Sequence, residues 1–126
     1  MGQSKPLARP VVLIVEDEPL LRLMAIDVVE DAGFDVVEAT DADEAIKILE
    51  ARNDIRIVFT DVDMPGSMDG IKLAMAIRDR WPPIKIIVTS GYARFSNPVL
   101  PEGAVFFAKP YDIDKVTAQL QEMGRQ

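Results

Sequence analysis

Two acidic segments hold the residues of this chain that are best suited to chemistry. The segment EDEP starts with Glu16 and Asp17, and TDVDMPGSMDG contains three more carboxylates, those of Asp61, Asp63 and Asp69. Carboxylates that lie close together repel and raise one another's pKa unless a cation sits among them. Because Mg²⁺ prefers oxygen ligands and keeps several waters, these acids predict a magnesium site.

A hydroxyl and a lysine later in the chain could complete such a site. Lys109 is a donor-only cation, so it would pair with an anion placed beside the metal and not with the metal itself. Either Ser90 or the adjacent Thr89 could donate a hydrogen bond to that anion, and we select Ser90 because its neighbour Gly91 is small. A carboxylate, a metal, a lysine and a hydroxyl around one point suit phosphoryl transfer. Asp61 would be the nucleophile and would form an aspartyl phosphate.

These residues must be positioned by the strands and helices around them. Continuous apolar runs predict strands that are covered on both faces, and apolar residues at helical spacing predict helices between them. Asp69 precedes the third helical pattern and is predicted to cap that helix. The predicted strands lie at 11–15, 34–39, 55–60, within 82–90 and at 104–108, and the predicted helices begin near Pro19, Ala42, Gly70 and Asp112.

The alternation of strands and helices predicts an α/β fold. We expect a doubly wound five-stranded parallel sheet with helices on both faces. Ligands of such sheets bind beyond the carboxyl ends of the strands, where all the candidate residues fall. The connection at 91–103 differs from the others because Pro98 and Pro101 prevent a regular helix through its second half. The fourth helix is therefore predicted to be short or irregular.

Length and composition favour one ordinary globular domain. The chain has 126 residues, of which 48% are hydrophobic and 28% charged. We expect a loose N-terminal lead-in over residues 1–10 and one domain over residues 11–124. Neither a membrane span nor a secretory signal is evident, so we expect a cytoplasmic protein without membrane insertion. The absence of Cys fits a reducing compartment.

Charge and residue types exclude several kinds of function. A net charge of −7 has the wrong sign for contact with phosphate backbones, so we expect no direct binding of nucleic acid. The chain contains no His, which excludes imidazole bases, imidazole metal ligands and a phosphohistidine of its own. A phosphoryl group held covalently must therefore be carried by Asp, Ser, Thr or Tyr.

Four segments in order, LIVEDEP, TDVDMPGSMDG, VTSGY and FFAKPY, resemble the receiver domain of two-component response regulators. The resemblance covers residues 11–122 and is to a single-domain regulator or a receiver cut from a hybrid kinase, with the flavodoxin-like strand order 2-1-3-4-5. It implies that Asp61 is the phosphoacceptor and a ligand of Mg²⁺. The other implied metal ligands are Glu16, Asp17 and the backbone carbonyl of Asp63.

The resemblance also implies a switch and a set of partners. Ser90 would be the switch hydroxyl and Phe106 the switch aromatic residue. Lys109 would be the family's lysine, and the Pro110 that follows it would be in a cis peptide. A sensor histidine kinase or a histidine phosphotransfer protein would supply the phosphoryl group. The switched surface would then contact a downstream protein target that the sequence does not identify. Such a chain catalyses only its own phosphorylation and dephosphorylation.

Three features depart from the family pattern. Glu16 stands where Asp is commoner, which keeps the charge and alters the reach. The turn PGSMDG has one residue more than the usual Pro-x-Met-Asp-Gly. The connection between Ser90 and Lys109 is short, which puts the usual output surface in question.

Other functions remain compatible with the acidic pattern alone. The segment DVD could be an Asp-x-Asp phosphohydrolase motif in which the Asp63 side chain is the acid/base. A Toprim-like nucleic-acid enzyme also carries a Glu after its first strand and a DxD after a later one, although the negative charge and Lys109 oppose it. A receiver that only binds partners would not need the complete set of acids.

Overall fold

The computed structural model describes residues 9–66, 68–91 and 99–125 and forms an α/β fold. The predicted fourth helix falls mainly on residues 92–98, which lie outside the described residues, so the label α4 denotes the last helix. The strands are β1 (Val11–Val15), β2 (Asp35–Ala39), β3 (Ile55–Asp61), β4 (Lys85–Ser90) and β5 (Ala104–Ala108), and the helices are α1 (Pro19–Asp31), α2 (Ala42–Ala51), α3 (Gly70–Arg80) and α4 (Ile113–Gly124).

The five strands form one parallel sheet in the order β2-β1-β3-β4-β5. Both the fold class and the strand order are confirmed. The order reverses between β1 and β3, because β2 lies outside β1 and the chain then crosses to the other side. Crevices at such a switch in strand order are the usual ligand sites of these sheets. In the described part of the chain, no helix is long and apolar enough to cross a membrane.

Two apolar clusters cover the two faces of the sheet. Successive side chains of β1 point to opposite faces. Leu13 and Val15 pack in the cluster that contains residues of α2 and α3. Val12 and Ile14 pack in the cluster that contains residues of α1 and α4. Burial on both faces explains why β1, β3 and β4 are largely apolar, and it holds their carboxyl ends in a fixed arrangement.

Aspartates begin three of the four described helices. Asp41, Asp69 and Asp112 each accept a hydrogen bond from a backbone N–H of the first helical turn, which confirms Asp69 as the cap of α3. The start of α1 differs, since its N-cap residue Glu18 makes no side-chain cap. Instead, the Glu18 backbone N–H donates to Glu16 Oε2 at 3.1 Å. The acid before α1 is thus positioned by the helix that it precedes.

Candidate functional site

The carboxyl ends of four strands bring the predicted residues together. Asp61 and Ser90 end β3 and β4. Glu16 and Asp17 follow β1, and Lys109 follows β5. Carboxylate oxygens of Glu16, Asp17 and Asp61 lie within 4.8 Å of one another. Three acids from two strands therefore form one cluster, as the sequence predicted.

Lys109 is the cation that faces this cluster. Its Nζ lies 3.2 Å from Asp61 Oδ2 and 3.5 Å from Glu16 Oε1. Burial disfavours the ammonium group, but attraction to the two carboxylates outweighs it and raises the pKa of Lys109. The lysine therefore stays charged at neutral pH and presents a fixed positive charge to the site.

The surroundings of Asp61 disfavour the charged form of its carboxyl group. The residue is buried, and its Oδ1 has no hydrogen-bond partner among the residues that the structure describes. Burial raises the pKa of Asp61, and Lys109 offsets only part of this effect. Burial also raises the pKa of Glu16, against the hydrogen bond from Glu18 and the attraction of Lys109. Both acids would be stabilised by a further cation.

The donor set of this cluster fits a hard divalent cation. It offers carboxylate oxygens only, and one of them, Asp61 Oδ1, is buried and has no hydrogen-bond partner among the described residues. Mg²⁺ binds through a few carboxylates and retains water, which matches a cluster in which Asp17 is exposed to solvent. The Asp63 carboxylate is not part of the group. That residue accepts a hydrogen bond from Ser90 Oγ at 3.1 Å instead.

Thr89 and Ser90 point to opposite faces of β4, so the two hydroxyls have different surroundings. Thr89 pairs with Asp61 across the strands and lines the same cavity as Asp61 and Lys109. Ser90 lies on the other face, where its hydroxyl meets Asp63. The sequence could not separate these two positions, because both residues are buried and both carry a hydroxyl.

Phe106 lies on the face of the sheet that Ser90 also occupies. It pairs with Val88 in the neighbouring strand β4 and packs, partly buried, against the cluster that contains Val88. The peptide bond between Lys109 and Pro110 is cis, as the resemblance implied. Ser90 pairs with Ala108, so the two predicted switch residues lie on the same face of adjacent strands, two register positions apart.

Three residues near the site were not predicted from the sequence. Arg22 donates from Nη1 to the Glu16 carbonyl oxygen at 2.9 Å and so anchors the loop after β1. The ring of Tyr111 packs edge-on against Phe59 at 6.1 Å. It also lines a cavity of about 680 Å³ between α1 and α4 that reaches Asp61. The aromatic residue two positions after Lys109 was the available signal for this role.

Gly70 was the third omission, and its role concerns the backbone. A Cβ atom at this position would overlap the Asp61 carbonyl oxygen and approach Val62 Cα to 2.9 Å. The Gly70 backbone N–H donates to the Val62 carbonyl oxygen at 3.0 Å. The start of α3 therefore packs directly on the end of β3 that carries Asp61. The glycine directly after the Asp69 cap was the sequence signal.

Comparison with known proteins decides the family. The model of the response regulator receiver domain matches residues 12–121. The chain belongs to the response regulator receiver domain family. It is a signalling module, and its acidic cluster fits the phosphorylation site of a phosphoacceptor in two-component signalling. The family match favours this function over the phosphohydrolase-like and Toprim-like alternatives.

Two similar proteins are much longer than this chain. The chain is 37% identical to the sensor kinase CckA of Brucella abortus, over 89% of this chain and 12% of the kinase. It is 31% identical to the nitrogen assimilation regulatory protein NtrX of Azorhizobium caulinodans, over 83% of this chain and 24% of that protein. The chain thus spans a quarter or less of these relatives' length.

A solved structure of similar size supports the same assignment. The response regulator receiver protein of Pseudomonas putida is 31% identical and has a TM-score of 0.78. The match covers 93% of this chain and 98% of that one. The family's fold therefore accounts for nearly the whole chain.

Proposed function

We propose that this receiver takes a phosphoryl group on Asp61 from a phosphohistidine of a sensor histidine kinase or histidine phosphotransfer protein. The observation that carries the proposal is the state of the Asp61 carboxylate. It is buried, one oxygen has no partner in the described part of the chain, and the other lies 3.2 Å from Lys109 Nζ. A carboxylate held in this way is poised to gain a charged ligand.

The proposed metal ligands are Glu16, Asp17, Asp61 and the backbone carbonyl of Asp63. Bound Mg²⁺ would neutralise the negative charge that gathers when a phosphate approaches this acidic cluster. Glu16 already accepts from the Glu18 N–H and faces Lys109, so its orientation is set before any ligand binds. A preformed arrangement of this kind lowers the cost of ordering the site.

Each proposed catalytic residue has one task in the transfer. An Asp61 carboxylate oxygen attacks phosphorus, the phosphorus–nitrogen bond to the donor imidazole breaks, and its electron pair leaves with the imidazole. Lys109 stabilises the charge on the phosphoryl oxygens during the transfer and afterwards. Ser90 donates its hydroxyl hydrogen bond to a phosphoryl oxygen once the aspartyl phosphate has formed.

The signalling output follows from a change of surface. With Ser90 drawn to the phosphoryl group, Phe106 on the same face would turn inward and alter the surface that a downstream protein target contacts. The chain would catalyse only its own phosphorylation and dephosphorylation. We propose that the receiver unit comprises residues 11–124; the lead-in expected over residues 1–10 falls mainly on residues 1–8, which lie outside the described part of the chain.

Phosphorylation in vitro tests this function. Incubation with acetyl phosphate and Mg²⁺ should add one phosphoryl group that is labile to hydroxylamine, measured by intact mass. A chelator in place of Mg²⁺ should prevent the modification. The variant Asp61→Asn has nearly the same volume and should remain unmodified.

The control variant is Asp63→Asn, which keeps the backbone carbonyl and the volume of the side chain. It should still be phosphorylated, since only its carbonyl is proposed to bind the metal. Failure of the wild type with acetyl phosphate and with phosphohistidine donors would show that this chain is not a phosphoacceptor. Hydrolysis of phosphomonoesters that depends on the Asp63 side chain would instead support the phosphohydrolase reading.

A further inference from the structure

The Ser90 hydroxyl is already engaged before any phosphoryl group is present. It donates to Asp63 Oδ2 at 3.1 Å, and Ser90 is 1% exposed. Its backbone is fixed by β5, since the Ser90 carbonyl oxygen accepts from the Lys109 N–H at 2.8 Å. Because the backbone is held in the sheet, the hydroxyl can change partner chiefly by rotation of the side chain.

Asp63 is held opposite Ser90 by the loop that follows β3. The Val62 N–H donates to the Thr89 carbonyl oxygen at 2.8 Å, which ties this loop to β4. The Asp63 side chain is only partly buried and takes no part in the cluster of Glu16, Asp17 and Asp61. The contact that the structure shows for this side chain is therefore with the Ser90 hydroxyl and not with the acids of the cluster.

A serine hydroxyl has one proton to donate. It can be given to the Asp63 carboxylate or to a phosphoryl oxygen on Asp61, but not to both at once. We propose that the Asp63 side chain is a positioning residue that holds the Ser90 hydroxyl in the unphosphorylated chain and competes with the phosphoryl group for it. This inference rests on the proposed function, because it names what opposes the switch at the same site.

The hydrogen bond from Ser90 to Asp63 opposes the switch, and its strength depends on the charge of the acceptor. A hydrogen bond to an ionised acceptor is stronger than one between neutral groups, so moving the hydroxyl away from Asp63 has a real cost. Asp63 thereby sets the fraction of phosphorylated chains in which Ser90 has switched. The residue makes no covalent bond and transfers no proton in this scheme.

A cycle of variants tests the competition. Beryllofluoride, a mimic of the phosphoryl group, is titrated with Mg²⁺ into wild type, Asp63→Ala, Ser90→Ala and the double variant, and binding is measured by calorimetry. Asp63→Ala should bind about tenfold more tightly than wild type, the change expected for loss of one hydrogen bond to a charged group. In the Ser90→Ala background the same substitution should have an effect about fivefold smaller, because no hydroxyl remains to release.

Two further measurements separate the hydrogen bond from the negative charge of Asp63. Asp63→Asn removes the charge but keeps an acceptor oxygen for Ser90, so its gain should be clearly smaller than that of Asp63→Ala. Without metal or beryllofluoride, chemical unfolding of the same four chains should show a favourable coupling between Asp63 and Ser90. This second measurement does not depend on ligand binding.

The outcomes distinguish this inference from the function on which it rests. Equal gains from Asp63→Ala in the wild-type and Ser90→Ala backgrounds would show that Asp63 acts through charge alone and would overturn the competition. Absence of coupling in the metal-free chains would overturn it as well. Failure of the wild type to bind beryllofluoride would overturn the proposed function, and the inference with it.

Discussion

Charged side chains are buried at one end of the sheet and exposed at the other. At the carboxyl ends of the strands, Asp61 and Glu16 are buried beside Asp17, with Lys109 facing the first two. Near the amino ends, two exposed ion pairs have N–O distances of 2.7 Å. These pairs join Arg52 to Asp54 and Arg80 to Glu50.

The pKa values of Asp54 and Asp61, at the two ends of the sheet, are also shifted in opposite directions. The hydrogen bond from Arg52 lowers the pKa of Asp54, so that carboxylate is satisfied by its partner. Burial raises the pKa of Asp61, whose Oδ1 has no partner in the described residues. Exposed pairs contribute little to stability, whereas a buried and incompletely paired acid has a cost that a ligand can relieve. Incomplete satisfaction therefore marks the functional end of the sheet.

Removing the cation at each end should have very different consequences. Lys109→Met keeps the length and apolar packing of the side chain but removes the charge that stabilises the transferring phosphoryl group. We expect the rate of phosphorylation by acetyl phosphate to fall about a hundredfold. The matched variant Arg52→Met removes a cation from the exposed end and should leave the rate unchanged. A similar loss in both variants would mean that net charge, and not the position of Lys109, controls the reaction.

A methyl group at Gly70 should disturb the backbone that carries Asp61. The new Cβ would overlap the Asp61 carbonyl oxygen, so α3 or the end of β3 must move. We expect Gly70→Ala to lower the free energy of unfolding by about 2 kcal/mol, measured by urea denaturation. Gly91→Ala is the control, since a Cβ there meets no atom of the described residues within 4 Å and should change stability little. Equal stability of the two variants would contradict the direct packing of α3 on β3.

The smallest expected effect concerns the metal-free stability of the acidic end. Asp61→Asn replaces an oxygen that has no partner among the described residues with an amide donor beside the acids of the cluster. We expect it to raise the free energy of unfolding at pH 7 by about 1 kcal/mol, because one poorly satisfied buried charge is removed. Denaturation in the presence of a chelator measures this change. A loss of stability would mean that the contact with Lys109 outweighs the burial of the charge.

The pH dependence of stability should also differ between Asp61 at the carboxyl ends of the strands and Asp54 at the amino ends. The raised pKa of Asp61 means that the folded chain binds this proton more tightly than the unfolded chain does. Its contribution to stability is complete below the ordinary pKa of Asp and is lost as the pH rises through the folded pKa. Asp61→Asn should remove this part of the loss of stability at rising pH. The lowered pKa of Asp54 acts in the other direction, and its contribution is lost as the pH falls.

The sequence alone was sufficient for the fold and for most of the residues that the structure brings together in the candidate site. Continuous apolar runs predicted the positions of the strands, because a strand that is buried on both faces carries few polar side chains. Polar residues directly after those runs identified Glu16, Asp17, Asp61 and Lys109, because the carboxyl ends of parallel strands meet at one edge. Asp69 was recognised as a cap because Asp before a helical pattern has a local role.

Only the tertiary structure decided how these residues meet one another. The strand register put Thr89 on the face of Asp61 and turned Ser90 toward Asp63, a contact between residues 27 positions apart. Close packing of α3 on β3 required Gly70 to lack a side chain. Local sequence records which groups are present at a strand end. Distances between strands arise only when the sheet is assembled, and they leave the Asp61 oxygen without a partner in the described part of the chain and engage the Ser90 hydroxyl.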